Sequence, residues 1–270
     1  MFYPNPDRPL QLFAPVHSAE VALQVEAAGA QAVIACPGAA TEAIVDAIEI
    51  PVIACLAPIH SHSVTEIERA LATGARMLLL SGNRSALDVR LLLDLIRGRA
   101  KTFLWIDQPA LLTELNALCE LRWTVAHVDL RALTPDGSAS AFVDGSASSV
   151  CAQLRPRPFG IGCASPVGES SSGTIRLSRT DRIRIAAQMG ASVHVTSRRD
   201  LADERAVQAN IQAALAAWTA ARYRSMATVA RDFAVLARRI GVNDPDAAGR
   251  RSRRTDAIST RETSFGKSPA

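Results

Sequence analysis

The chain has 270 residues, of which 48% are hydrophobic and 4% aromatic, and its formal net charge at pH 7 is +4. One TIM barrel takes about 250 residues, so this length predicts a single large domain. The five cysteines are scattered without a Cys-x-x-Cys or metal-type Cys/His spacing, and we interpret them as reduced side chains of a cytoplasmic protein. No apolar run is long enough to cross a bilayer and the first residues form no apolar signal core, so we expect neither a membrane span nor a leader.

Apolar runs of strand length alternate eight times with amphipathic stretches of helical length. The predicted strands are residues 11–16, 31–36, 51–56, 76–81, 102–107, 124–129, 158–163 and 192–197. These runs are continuously apolar, which is typical of parallel strands buried on both faces. Strand–helix alternation predicts βαβ units, and because no GxGxxG follows the first strand we favour a closed (β/α)8 TIM barrel over an open doubly wound sheet.

Residues that start and stop helices support this reading. A glycine in a Gly-Ala pair ends three predicted helices just before a strand, at Gly29, Gly74 and Gly190. Ser63 and Glu66 have the spacing of a capping box, and Pro109 suits the first turn of a helix.

Three regions are predicted along the chain. Residues 1–222 form the barrel, with 203–222 as its closing helix. A helix at 226–240, within the region 223–241, is expected to pack on the barrel or on a partner subunit of a homo-oligomer. Residues 242–270 lack apolar periodicity and predict a disordered basic tail, since residues 221–270 carry 11 Lys or Arg against 5 Asp or Glu. We interpret the tail as solvated rather than as a nucleic-acid contact.

The site of a TIM barrel is built at the carboxyl ends of its strands, so the predicted strand ends give a set of candidate residues. They are His17, Cys36, His60, His62, Ser81, Gly82, Asn83, Asp107, Asp129, Gly162, Cys163, Ser197, Arg198 and Arg199. Two polar segments, 134–149 and 164–175, follow the sixth and seventh strands or overlap their ends and are candidate lids.

Asp107 and Asp129 end adjacent apolar strands, where a carboxylate is unexpected unless it has a partner. Neighbouring strand ends could direct both toward one Mg2+ or Mn2+. The alternative is that Asp107 caps the following helix and Asp129 pairs with Arg131 or another arginine.

Other candidate residues suggest an anion site and an acid/base group. A phosphate or carboxylate of a small-molecule substrate could bind at the ends of the seventh and eighth strands. There Gly160 and Gly162 would let the backbone approach the anion, and Ser197, Arg198 and Arg199 would contact it with their side chains. Alternatively, the two arginines pair with acidic residues on the outer surface. His17 lies close to the predicted barrel mouth and could act as an acid/base. We expect His60 and His62 to be exposed loop residues or a cap, and His127 and His194 to be packed within strands.

Lysine is nearly absent, which excludes one mechanism. Lys101 is expected at the amino end of the fifth strand and Lys267 lies in the tail, so neither can form a Schiff base at the mouth. Any aldolase chemistry would therefore not use an imine. P-loop, GxSxG and HExxH motifs are also absent.

Residues 74–133 resemble the metal-dependent HpaI aldolase/citrate lyase β-subunit family of pyruvate and phosphoenolpyruvate barrels. The segments GARMLLLSGNRSALDVRLLLDLI, FLWIDQPALLTELNALCEL and TVAHVDLRAL carry the similarity. It implies Asp107 and Asp129 at the positions of the family's two acidic metal ligands. Three features depart from the family. The acidic motif of its second strand is replaced by Ala35-Cys36-Pro37, its arginine is missing from PVIACL, and its glutamate is shortened to aspartate at position 107.

The leading hypothesis is therefore a metal-dependent carbon–carbon lyase or aldolase for a small 2-oxo acid or related carboxylate, with Arg198 or Arg199 holding the anion. Fainter similarities to pyridoxal-phosphate synthase and to flavin barrels of the nitronate monooxygenase type leave a second hypothesis, a phosphate-ligand or FMN-binding barrel. A third is a catalytically silent barrel that serves as a binding or scaffold protein.

Overall fold

The computed structural model describes residues 9–36, 39–134, 140–143, 145–162, 178–197, 201 and 203–240. Arg198, Arg199, Cys163, the predicted lid 164–175 and the predicted tail lie outside these residues. Within the described part of the chain, eight strands form the sheet. They are β1 Gln11–Val16, β2 Ala32–Ala35, β3 Val52–Leu56, β4 Met77–Leu80, β5 Lys101–Ile106, β6 Val125–Asp129, β7 Phe159–Gly162 and β8 Val193–Val195.

Each strand pairs in parallel with the next one along the chain, and β8 pairs with β1, so the sheet closes into a barrel. Helices connect the strands. They are α1 Ala19–Ala27, α2 Thr41–Ala47, α3 Ser63–Ala72, α4 Ala86–Ile96, α5 Pro109–Thr113, α6 Leu115–Glu120, α7 Leu130–Leu133, α8 Ser140–Val143, α9 Ser146–Leu154, α10 Arg179–Gln188 and α11 Val207–Arg222. The (β/α)8 barrel predicted from the sequence is confirmed, and the predicted strands all form.

The side chains that fill the barrel come from alternate strand positions. Phe13, Phe103 and Trp105 pack edge to face, with ring centroids 5.4 Å and 5.7 Å apart. Aliphatic residues complete this core at Ala32, Ile34, Ile53, Met77, Leu79, Val125, Val193 and Val195. The other strand face is also buried, since Val33, Leu78 and Leu104 are fully inaccessible. Burial on both faces explains the continuously apolar strand sequences.

The glycine stops behave as predicted. Gly29, Gly74 and Gly190 adopt positive φ values of 95°, 83° and 83° at the ends of α1, α3 and α10. This left-handed conformation ends a helix and is strained for residues with a Cβ. Pro109 is likewise the first residue of α5, as expected.

The predicted capping box at Ser63 is wrong. Glu66 accepts instead the backbone N–H of Ala57 at 2.8 Å, which ties α3 to the end of β3. Ser63 Oγ accepts the N–H of His60 at 2.9 Å. A capping box does form at the start of α4, where Asp88 N–H donates to Ser85 Oγ and Ser85 N–H donates to the Asp88 carboxylate.

The predicted lid at 134–149 contains helical structure, since α8 lies within it and α9 begins there. The chain divides into two units, residues 1–224 with the barrel and residues 225–270. The second unit contains α12, Met226–Ile240, at the position predicted from apolar spacing. Among the described helices none has the length and apolar character needed to cross a membrane.

Candidate active site at the barrel mouth

Asp107 follows the last residue of β5 and is half-buried at the barrel mouth. The backbone N–H of Gly82, just after β4, lies 3.2 Å from each of its carboxylate oxygens. Gly82 can present this N–H because it adopts a positive φ of 69°. Asp107 therefore connects the ends of two adjacent strands. The alternative reading as a helix cap does not hold, because Gln108 is the N-cap residue of α5.

The pKa of the Asp107 carboxyl lies above its usual value. Burial, which penalises the charged form, is the main cause, and the nearby carboxylate of Asp129 acts in the same direction. The N–H of Gly82 and the guanidinium of Arg131 oppose the shift. Asp107 thus lies close to Asp129, as the adjacent strand ends predict. Its carboxyl group binds a proton more readily than that of an ordinary aspartate.

Asp129 ends β6 and is fully inaccessible to solvent. Its carboxylate forms a bidentate pair with Arg131, with Nε at 3.0 Å and Nη2 at 2.5 Å from its two oxygens. One oxygen also accepts the Arg131 backbone N–H at 3.0 Å and caps α7. The pairing of Asp129 with Arg131, one of the alternatives left open by the sequence, is therefore present in the structure. The guanidinium compensates a charge that would be costly to bury alone.

A divalent cation fits this arrangement only in part. Asp107 offers carboxylate oxygens at the mouth, whereas the oxygens of Asp129 are already neutralised by Arg131. No cluster of three His, Cys, Asp or Glu side chains occurs among the described residues. The Mg2+ or Mn2+ site at Asp107 and Asp129 stays a prediction, and it would require a rearrangement of the Asp129–Arg131 pair.

His127 lies one layer deeper than Asp129, inside the barrel. It is 1% exposed, and its ring stacks on that of Trp105 with centroids 4.2 Å apart and planes inclined by 19°. The strand register places Trp105, His127 and Gly160 side by side on β5, β6 and β7. Burial, with a smaller effect of His194, lowers the pKa of His127 to about 3, so this imidazole is neutral.

Gly160 and Gly162, predicted as anion-binding positions, both lie against the His127 ring. A Cβ at Gly160 would be 2.6 Å from its Nδ1, so this glycine makes room for the imidazole. A Cβ at Gly162 would be 3.7 Å and 3.8 Å from its Cε1 and Nε2, which is ordinary contact. Ser197 is half-buried two residues beyond β8, while its proposed partners Arg198 and Arg199 lie outside the described residues.

The remaining candidates lie around the rim. His17 is exposed, directly after β1. His60 and His62 are exposed loop residues, as expected, and His60 Nδ1 contacts Ser63 Oγ at 2.7 Å. Cys55 lies beside Cys36, and burial raises the pKa of its thiol to about 12, so it is protonated rather than a thiolate nucleophile.

Two features of the candidate site were missed by sequence reasoning. Gly82 was a candidate by position, but nothing in the sequence indicates that its N–H binds Asp107. His127 was read as packed, which is confirmed, yet its place inside the barrel depends on strand register. The alternation of β6 from Val125 to Asp129 is the signal that could have placed it on the same face as Asp129.

The sequence matches no protein-family model, and it has no significant match among curated proteins. The function must therefore be inferred from the chemistry of the barrel mouth.

Proposed function

We propose that this barrel is a carbon–carbon lyase of the aldolase type, acting on a small 2-oxo acid or related carboxylate at its C-terminal mouth. The observation that carries the proposal is the environment of Asp107. A half-buried carboxyl with a raised pKa stands there beside a buried Asp129–Arg131 pair. Raised carboxyl pKa values in a cleft are typical of groups that transfer protons near neutral pH.

Asp107 would transfer the proton in both halves of the reaction. In the cleavage direction its carboxylate accepts the proton of the substrate hydroxyl while the adjacent carbon–carbon bond breaks. The hydroxyl carbon leaves as a carbonyl compound, and the bonding electron pair moves into the enolate of the 2-oxo acid. The proton on Asp107 then returns to the enolate carbon, which restores the carboxylate.

Arg131 would supply positive charge close to this enolate. Its side chain is 30% exposed, whereas that of its partner Asp129 is inaccessible. The Asp129–Arg131 pair would hold this guanidinium in place before substrate binds, and preorganised charge is the usual way in which enzymes stabilise an enolate.

A bound Mg2+ or Mn2+ would polarise the substrate carbonyl. Asp107 would hold it, but because Arg131 occupies the oxygens of Asp129, no step of the proposed mechanism depends on the cation. Calorimetric titration with Mn2+, repeated on Asp107→Asn, tests this prediction separately. Binding that this substitution weakens tenfold or more would support the cation site, and no binding to the unmodified protein would refute it.

The proposal is tested by proton exchange in pyruvate. In D2O, the unmodified protein should accelerate the loss of the methyl signal in proton NMR spectra, with or without added Mg2+, which is diamagnetic and does not broaden the signal. Asp107→Asn should lower the exchange rate by about a hundredfold or more, the usual contribution of one general acid–base group. Asp94→Asn, which changes an exposed carboxylate on α4, is the matched control and should have no effect. No acceleration by the unmodified protein would refute the proposed function.

A further inference from the structure

His127 is a polar residue that packing alone does not explain. It lies in the barrel interior between Trp105 and the glycines of β7, and it is 1% exposed. Neither ring nitrogen has a hydrogen-bond partner among the described residues. Burying such a group without partners is unfavourable, and a phenyl ring would fill the same space without this cost. The imidazole thus keeps hydrogen-bonding capacity that no described residue uses, and a bound ligand would supply the missing partner.

The two glycines of β7 differ in what they leave around the ring. Gly160 is required for packing, because a Cβ there would lie 2.6 Å from Nδ1 of His127 and 2.7 Å from the backbone oxygen of Val193. Gly162 is not required in this way, because its Cβ would keep ordinary contact distances from Cε1 and Nε2. Gly162 therefore places no side chain over the Cε1–Nε2 edge of the imidazole.

Gly162 pairs with Asp129 in the register of β6 and β7, so it lies at the level of the mouth. It lies on the same strand face as His127, two residues closer to the carboxyl end of β7 than Gly160. Both ring nitrogens are inaccessible to solvent in this structure, so a small ligand beside Asp107 and Asp129 would have to displace the packing above the ring to reach them.

We infer that His127 is a positioning residue that forms the floor of the substrate site and donates a ring N–H to an oxygen of a small anionic ligand held over Gly162. This inference rests on the proposed function, since it gives the 2-oxo acid a second anchor below Asp107. The ligand oxygen would satisfy the buried N–H and fix the orientation of the substrate relative to the Asp107 carboxyl.

The charge state of the ring suits this role. The pKa of His127 is lowered to about 3, first by burial and then by His194, so the imidazole stays neutral at physiological pH. A neutral imidazole carries one N–H donor and one acceptor nitrogen. It can orient a carbonyl or carboxylate oxygen, while proton transfer is left to Asp107.

Three variants test the inference. His127→Phe keeps a planar ring but removes both nitrogens, His127→Gln keeps an N–H donor, and Gly162→Ala adds a methyl group over the ring edge. Pyruvate, oxalate and inorganic phosphate are the probes, titrated by calorimetry. The His127 ring nitrogens are followed by 15N NMR in the unmodified protein, which distinguishes direct contact from a change in packing.

We expect pyruvate or oxalate to shift one ring nitrogen resonance of the unmodified protein. His127→Phe and Gly162→Ala should each weaken binding at least tenfold, and His127→Gln should recover part of the loss. His127→Phe should be at least as stable as the unmodified protein to urea, since it removes unpaired buried nitrogens.

The outcomes separate this inference from the proposed function. Pyruvate binding that His127→Phe and Gly162→Ala leave unchanged, with no 15N shift, would overturn the role of His127 and leave the lyase proposal standing. If phosphate binds in a way that depends on His127 and neither pyruvate nor oxalate binds, the role of His127 as an anchor would be supported. The same result would overturn the proposal that the substrate is a 2-oxo acid. If none of the three probes binds, both are overturned.

Discussion

Gly160 is the position at which the barrel should tolerate a side chain least. Its hypothetical Cβ lies 2.6 Å from His127 Nδ1 and 2.7 Å from the backbone oxygen of Val193. Neither atom can move easily, because the imidazole is stacked on Trp105 and Val193 belongs to β8. We therefore expect Gly160→Ala to displace strand β8 or to push His127 out of its stacked position.

The expected cost follows from overpacking. Inserting one methyl group into a packed core lowers the free energy of unfolding by about 1–3 kcal/mol. Because the new Cβ would lie closer than 3.0 Å to both His127 Nδ1 and the Val193 backbone oxygen, we expect a loss of about 3 kcal/mol. For a chain of this size that corresponds to a decrease in Tm of roughly 6–12 °C. Urea unfolding followed by circular dichroism measures the free energy of unfolding.

Gly162→Ala is the matched control, two residues along the same strand. Its methyl group would keep 3.7 Å or more from the His127 ring, so we expect its free energy of unfolding to change by less than about 0.5 kcal/mol. A Gly160→Ala variant as stable as Gly162→Ala would show that β7 and β8 adjust freely, and would refute the packing argument for Gly160.

Two further predictions concern the carboxylates. Asp107→Asn should increase stability at pH 7, because the raised pKa of Asp107 means that folding disfavours its ionised form. The difference in stability should shrink as the pH falls through the folded-state pKa toward about 4. A difference in urea midpoints that is independent of pH would contradict this prediction. Arg131→Met should destabilise the barrel by about 3 kcal/mol in urea unfolding, because it leaves the inaccessible Asp129 carboxylate without its partner. Adding Asp129→Asn to the same chain should recover much of the lost stability. An Arg131→Met variant as stable as the unmodified protein would contradict the importance of this pair.

Much of the architecture could be predicted because its signals are local. Strand β4, Met77–Leu80, is buried on both faces and its sequence is therefore a continuous apolar run. The Gly-Ala pairs at Gly29, Gly74 and Gly190 mark helix ends because the left-handed stop conformation selects glycine in any fold. The strand ends also gave the correct rim, which brought Asp107 and Asp129 into one candidate site.

Local patterns failed where two partners competed for one group. Ser63 and Glu66 have the spacing of a capping box, yet Glu66 binds Ala57 of the preceding loop, while the same device forms at Ser85 and Asp88. Spacing along the chain describes which groups can reach each other. It does not describe which groups of a neighbouring loop, such as the N–H of Ala57, compete for them.

The sequence by itself determined the closed parallel barrel and which residues lie at its rim. Strands buried on both faces and helix ends can be recognised from short stretches of residues. Tertiary structure decided which partners those rim residues contact. The Asp129–Arg131 pair, the Gly82 N–H on Asp107 and the place of His127 against Trp105 and Gly160 depend on strand register and barrel closure. These join residues distant in sequence through side-chain geometry, and a pattern of apolar and polar residues does not encode distances of a few ångströms between strands.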